Sequence, residues 1–116
     1  MIISKKTADN AVELMLNKIL FLPEETQNAL KLLSCIGYCC ENFILSSIAI
    51  GDGLCRFGCY DFIASLQLAV KEGLLDRVGT DYTFAHDQIQ QVAYSLISEN
   101  ERGKMHFWIG NQVWAN

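Results

Sequence analysis

His86 is the residue in this sequence best placed to do chemistry. It lies where a short alternating stretch, Tyr82 to Ala85, passes into a helical pattern opening at Asp87. A side chain at such a junction stands near first-turn backbone N–H groups that lack partners, and these attract anions such as phosphate. An imidazole there can donate a hydrogen bond to the anion, and it changes charge near neutral pH. Asp87, followed by Gln90, has the layout of a helix cap instead. A histidine packed at a strand end would satisfy the same residues, so residue types alone leave both readings of His86 open. His106, in the last helical pattern, reads as a surface or packing residue.

The cysteines offer a second chemistry. Cys35-x3-Cys39 and Cys55-x3-Cys59 have a spacing compatible with a four-thiolate zinc site. Against it, Cys35 falls on an apolar helical stripe, where a thiol behaves as a small hydrophobe. The odd total of five, with Cys40 the fifth, and the lack of an export signal favour free thiols, so no metal is expected. No Gly-x-x-x-x-Gly-Lys-Ser/Thr loop is present to cradle phosphates. Gly51-Asp52-Gly53 is too short and lacks both the lysine and a preceding strand. Nor does any local signature join a Ser or Cys to a His and an acid. The residues therefore predict no catalytic centre and no cofactor held by this chain alone.

The elements that must position these residues follow from hydrophobic periodicity. Val12, Met15, Leu16, Ile19 and Leu20 predict a helix near 9–22, with Asp9 as its cap and Pro23 as its stop. Pro23, Glu24 and Glu25 suit the start of a second helix over 24–36, which carries Ala29, Leu32, Leu33 and Ile36 and stops at Gly37. A third, short helix spans 43–50, and Phe62, Ile63, Leu66, Ala69 and Val70 predict a fourth near 60–72. The period then changes: Leu74 to Val78, Gly79-Thr80-Asp81 and Tyr82 to Ala85 read as one β-hairpin. Ile89, Val92, Ala93, Leu96 and Ile97 make a helix near 88–97. Ser98-x-x-Glu101 is a capping box opening a last helix near 99–114. The fold class is thus mainly α with one small β-hairpin. Three helices, a hairpin and a further helix, from Pro23 to Ile97, are ordered as in a winged-helix unit. Residues 1–22 form a linker helix before this 23–97 domain. Residues 98–116 read as the start of a following helical region, because the last pattern reaches Asn116 without a stop signal.

The string Phe84-Ala85-His86-Asp87-Gln88-Ile89-Gln90-Gln91-Val92-Ala93-Tyr94-Ser95-Leu96-Ile97 resembles the segment F-x-H-D-R-V-Q-Q-A-A-Y-S-L-I. That segment marks the predicted-ATPase region of large signalling proteins of the STAND class. There it lies between a serine/threonine-kinase-like domain and a sensor histidine kinase. Leu22-Pro23-x-x-Thr26-Gln27-x-x-Leu30-Lys31-Leu32-x-x-Cys35-Ile36-Gly37, Glu72-Gly73-Leu74-Leu75, Glu101-Arg102 and His106-x-x-Ile109-Gly110 agree in order and spacing. The resemblance implies a winged helix that follows a nucleotide-binding core and closes over its nucleotide. It also implies that His86 contacts the diphosphate of ADP in the inactive state. ATP or ADP with Mg would belong to the parent protein. The partners implied are the upstream nucleotide-binding domain and downstream helical repeats of the same chain. Two departures stand out: Gln88 replaces the usual arginine, and residues 38–59 differ from the usual wording.

Composition bounds the alternatives. At 116 residues with 51 % apolar types, the chain has material for one core. A DNA-binding winged helix is the competing function, since that fold often inserts a helix into the major groove. The net charge of −4 opposes it, as does the segment Tyr60 to Glu72, whose only cation is Lys71, against the acids Asp61 and Glu72. Arg56 just precedes it. No nucleic acid is expected as partner. The longest apolar stretch, Leu30 to Ile50, is broken by Lys31, Gly37, Glu41 and Asn42, too often for a membrane span. Met1 to Lys6 lacks the layout of a signal peptide, so a cytoplasmic location is expected. Phe107, Trp108, Val113 and Trp114 are too apolar for a solvated helix; they are expected to pack on downstream repeats or to mediate self-association.

Overall fold

The computed structural model describes residues 6–49 and 53–115, with side chains over 11–49 and 53–113. The Gly51-Asp52 part of the expected loop and the side chains of Asp9 and Trp114 lie outside the described residues. In chain order the elements are α1 Lys6–Leu20, α2 Glu24–Ile36, β1 Cys39–Cys40, α3 Asn42–Ala49, a 3-10 helix Leu54–Phe57 and α4 Phe62–Lys71. The hairpin β2 Leu75–Val78 and β3 Asp81–Phe84 follows, then α5 Asp87–Ser95 and α6 Glu99–Ala115. The molecule is mainly helical, as expected. α1 begins at Lys6, which places Asp9 within the helix rather than at its cap.

Local chemistry sets most boundaries. Pro23 is the N-cap of α2, and Glu24 and Glu25 occupy its first turn, where carboxylates favour the helix dipole. Asp61 caps α4, its side chain accepting the Ala64 amide at 3.2 Å. The Glu25 carboxylate accepts the Tyr60 amide at 2.9 Å and also the Asp61 amide, tying the start of α4 to the start of α2. Ser98 accepts the Glu101 amide at 3.3 Å, one half of the expected capping box.

The sheet has three strands rather than the single hairpin expected. Its order is β1-β3-β2, all antiparallel, with Cys40 opposite Tyr82 and Leu75 opposite Phe84. β1 has two residues, too few to show a period, so only pairing with β3 defines it. Along β3 the alternation is clear: Tyr82 and Phe84 point into the core. The order α2-β1-α3-α4-β2-β3 with this sheet is winged-helix-like.

One hydrophobic core unites the chain. Ala29, Leu30, Leu32 and Leu33 of α2 lie at its centre, and α4 and α5 pack on them through Leu66, Ala69, Val92 and Ala93. Ile19 of α1 and Met105, Trp108 and Ile109 of α6 belong to the same cluster. The boundaries read at 22 and 97 therefore separate elements that share one core. No helix among the described residues is long and apolar enough to cross a membrane.

Candidate functional site

The handover from β3 to α5 is held from both sides. Phe84 and Ile89 are buried anchors before and after it. The Phe84 amide donates to the Tyr38 carbonyl and the Ala85 amide to the Leu74 carbonyl, each at 3.0 Å. Between the anchors the chain stays extended at His86, with φ −142° and ψ 146°, before turning helical. The His86 carbonyl accepts the Ile89 amide at 3.0 Å, so the helix closes behind it. Its ring is exposed and makes no capping hydrogen bond.

This geometry corrects the expected role of Asp87. The N-cap of α5 is His86, and Asp87 is the first helical residue, exposed in the first turn. A carboxylate there favours the dipole by charge, without capping an amide. The expected partner, Gln90, is engaged elsewhere: its Nε2 donates to the Ser34 carbonyl in the last turn of α2 at 2.7 Å. That carbonyl is one of those a helix end leaves without an internal partner. Gln90 thus joins α5 to α2.

An open recess of about 410 Å³ lies at the junction, lined by Tyr38, Ala85, His86 and Asp87. Tyr38 was not legible in the sequence as a site residue. It precedes a two-residue strand, and only the pairing of β1 with β3 brings it beside His86. The recess offers an imidazole and a phenol as hydrogen-bond donors next to the first turn of α5. Asp87 sets a negative charge at the same helix end, and Gln88 brings no cation. A phosphate bound here would need its countercharge from another domain or a metal ion.

Three of the five thiols, Cys35, Cys40 and Cys59, serve the core. Cys40 and Cys59 are each 1 % exposed. Burial pushes the Cys40 thiol up to about 12, with Cys39, Asp81 and Glu41 adding to it. Burial, aided by Glu25, does the same for Cys59, to about 12. Cys35 rises to about 11 through burial, partly offset by Arg102, and its Sγ lies 3.9 Å from Sδ of Met105. Cys39 and Cys55 are exposed. Among the described residues, no three His, Cys, Asp or Glu side chains gather as a metal ion would need.

The last helix departs from expectation. Trp108 is 7 % exposed, its ring edge-on to Phe57 at 5.6 Å. The 3-10 helix, which the sequence pattern does not announce, carries Phe57 to it. Gly53 makes room: a Cβ there would sit 2.8 Å from the indole nitrogen. Phe107 remains 73 % exposed and Val113 half-buried, so among the described side chains of the expected apolar face Phe107 is the most exposed. On α4, the helix that a DNA-reading role would require, the exposed positions are Ala64, Gln67 and Lys71. Comparison of the chain with protein families, with curated proteins and with solved structures found no match.

Proposed function

We propose that this chain is a regulatory, non-catalytic winged-helix module of a multidomain signalling ATPase, acting in the cytoplasm. It couples the ATP or ADP state of a nucleotide-binding domain to domain arrangement. The observation that supports this reading most is the division of labour within the string from Phe84 to Ile97. Phe84, Ile89, Val92, Ala93 and Ile97 are buried and build the fold, whereas His86 is exposed at a rigidly held junction and has no capping role. An exposed histidine fixed by the scaffold, next to a helix N-terminus, suits contact with a phosphate presented by a neighbouring domain. The poverty of cations on α4 weighs against a DNA-reading role.

The test uses the full-length chain that carries the nucleotide-binding core. A hydrogen bond to a charged group contributes about 1.5–3 kcal/mol, and about 1.4 kcal/mol is tenfold in an equilibrium. His86→Ala should therefore speed ADP release by about tenfold or more and raise basal output. Unchanged ADP release would remove the switch role from His86. The 116-residue chain alone should show no saturable ATP or ADP binding by calorimetry; micromolar binding would overturn the non-catalytic, partner-dependent reading.

A further inference from the structure

The cleft between the 3-10 helix and α6 shares no lining residue with the His86 recess and has a different character. Two hollows, of about 550 and 380 Å³, share Arg56, Phe57 and Glu101 and so form one groove. Arg56 and Lys104 line the larger hollow, and Arg56 and Lys31 the smaller. Glu101 is the sole acid lining either, among the described residues. The chain as a whole carries −4, so three cations in one groove run against its overall charge. Beside them Phe107, 73 % exposed, offers an apolar surface next to the Phe57–Trp108 pair.

We propose that this groove docks an extended acidic segment of a partner protein, with an apolar side chain of that segment seated against Phe107. Shape favours a strand of peptide over a compact ligand. Glu101, Lys104, Trp108 and Asn111 follow one face of α6, and at 1.5 Å per residue the lining from 101 to 112 runs about 16 Å. That length matches about five residues of extended chain. Charge favours acidic residues, because Arg56, Lys31 and Lys104 outnumber Glu101. Nucleic acid fits less well, since a phosphate backbone calls for a basic face broader than three cations on an acidic protein. No segment within these 116 residues suits as occupant: they hold no run of three acidic residues, and the one acidic pair, Glu24-Glu25, is built into α2.

The probe is a fluorescein-labelled peptide of about eight residues, Asp and Glu alternating with two leucines, followed by anisotropy against the intact chain. Saturable binding is expected, weakening with salt as exposed charge pairs do. The double variant Arg56→Glu, Lys104→Glu should lose about tenfold or more in affinity, and Phe107→Ala should also weaken it. All three positions are exposed, and matching circular dichroism melts would show that the variants fold. Lys71→Glu on α4 and His86→Ala should leave peptide binding unchanged, which separates this site from the recess. Absence of saturable binding, or full binding by the double variant, overturns the proposal. So does an equally tight all-glutamate peptide, which would remove the apolar anchor, or a labelled DNA duplex that binds through the same cations in the peptide's place.

Discussion

Gln90 and Asp87 show how one residue's neighbours decide its role. Their spacing suits a reciprocal cap, yet α2 lies close enough for Gln90 to reach the Ser34 carbonyl, and a half-buried bond between helices replaces a local one. Removing it leaves a helix-end carbonyl short of its partner. Gln90→Ala should therefore cost about 1 kcal/mol in urea unfolding, while Asp87→Ala should stay within the range of ordinary surface substitutions. A larger loss for Asp87→Ala than for Gln90→Ala would restore the capping role to Asp87. His86→Ala should likewise leave the stability of this chain nearly unchanged, because the exposed ring makes no capping bond. That separation of stability from surface chemistry makes His86 a clean probe of the proposed nucleotide coupling.

At the scale of elements, the hairpin and the helices hold one another through side chains that cap from a distance. Asp81, the first residue of β3, accepts the Asn42 amide at the start of α3 at 2.9 Å. Glu25 does the same for the approach to α4. The starts of α3 and α4 are thus each tied to an acid from a different element, with Asp61 adding a local cap to α4. Asp81→Ala should cost about 1 kcal/mol, the usual worth of an N-cap. Amide exchange should quicken first in α3 if the cap is the cause. Uniform quickening across the sheet would instead assign the loss to the hairpin.

Over the whole molecule, α6 is part of the core through Met105, Trp108 and Ile109, of which Trp108 is the largest. Trp108→Ala should cost about 3–5 kcal/mol, as other large-to-small changes at buried aromatics do. A loss within the surface range would return α6 to the status of a loosely attached segment. The buried thiols give the molecule an alkaline limit. An unfolded thiol ionises from about 9.0, whereas Cys40 and Cys59 stay protonated in the fold up to about 12 and Cys35 up to about 11. Above pH 9 the unfolded chain therefore binds fewer protons than the folded one, and stability falls as pH rises. Each such thiol contributes a slope of up to about 1.4 kcal/mol per pH unit. The stabilising effect of burial is fully present below pH 9 and is lost by about 12. A Cys40→Ala, Cys59→Ala variant should be less stable at pH 8 yet show a shallower decline between pH 9 and 10.5, which thermal melts at graded pH would record. Parallel declines in the two proteins would place the alkaline limit elsewhere.

Periodicity by itself determined the helices α2, α4, α5 and α6 and the hairpin, because each is long enough to bury a stripe or an alternating face. Leu32 and Leu33, Leu66 and Ala69, Val92 and Ala93, Tyr82 and Phe84 all lie where their spacing puts them. His86 was legible as a junction residue for the same reason, as the point where period two gives way to period 3.6. Only the tertiary structure decided what short segments do. β1 exists because Cys39 and Cys40 pair with Thr83 and Tyr82, and that pairing sets Tyr38 beside His86. The 3-10 helix exists within a stretch too short for a periodic signal, and it carries Phe57 to Trp108, turning an apparent surface tryptophan into core. Local sequence specifies an element when the element buries its own face; where two residues or one turn take their partners from far along the chain, only the folded neighbours can specify them.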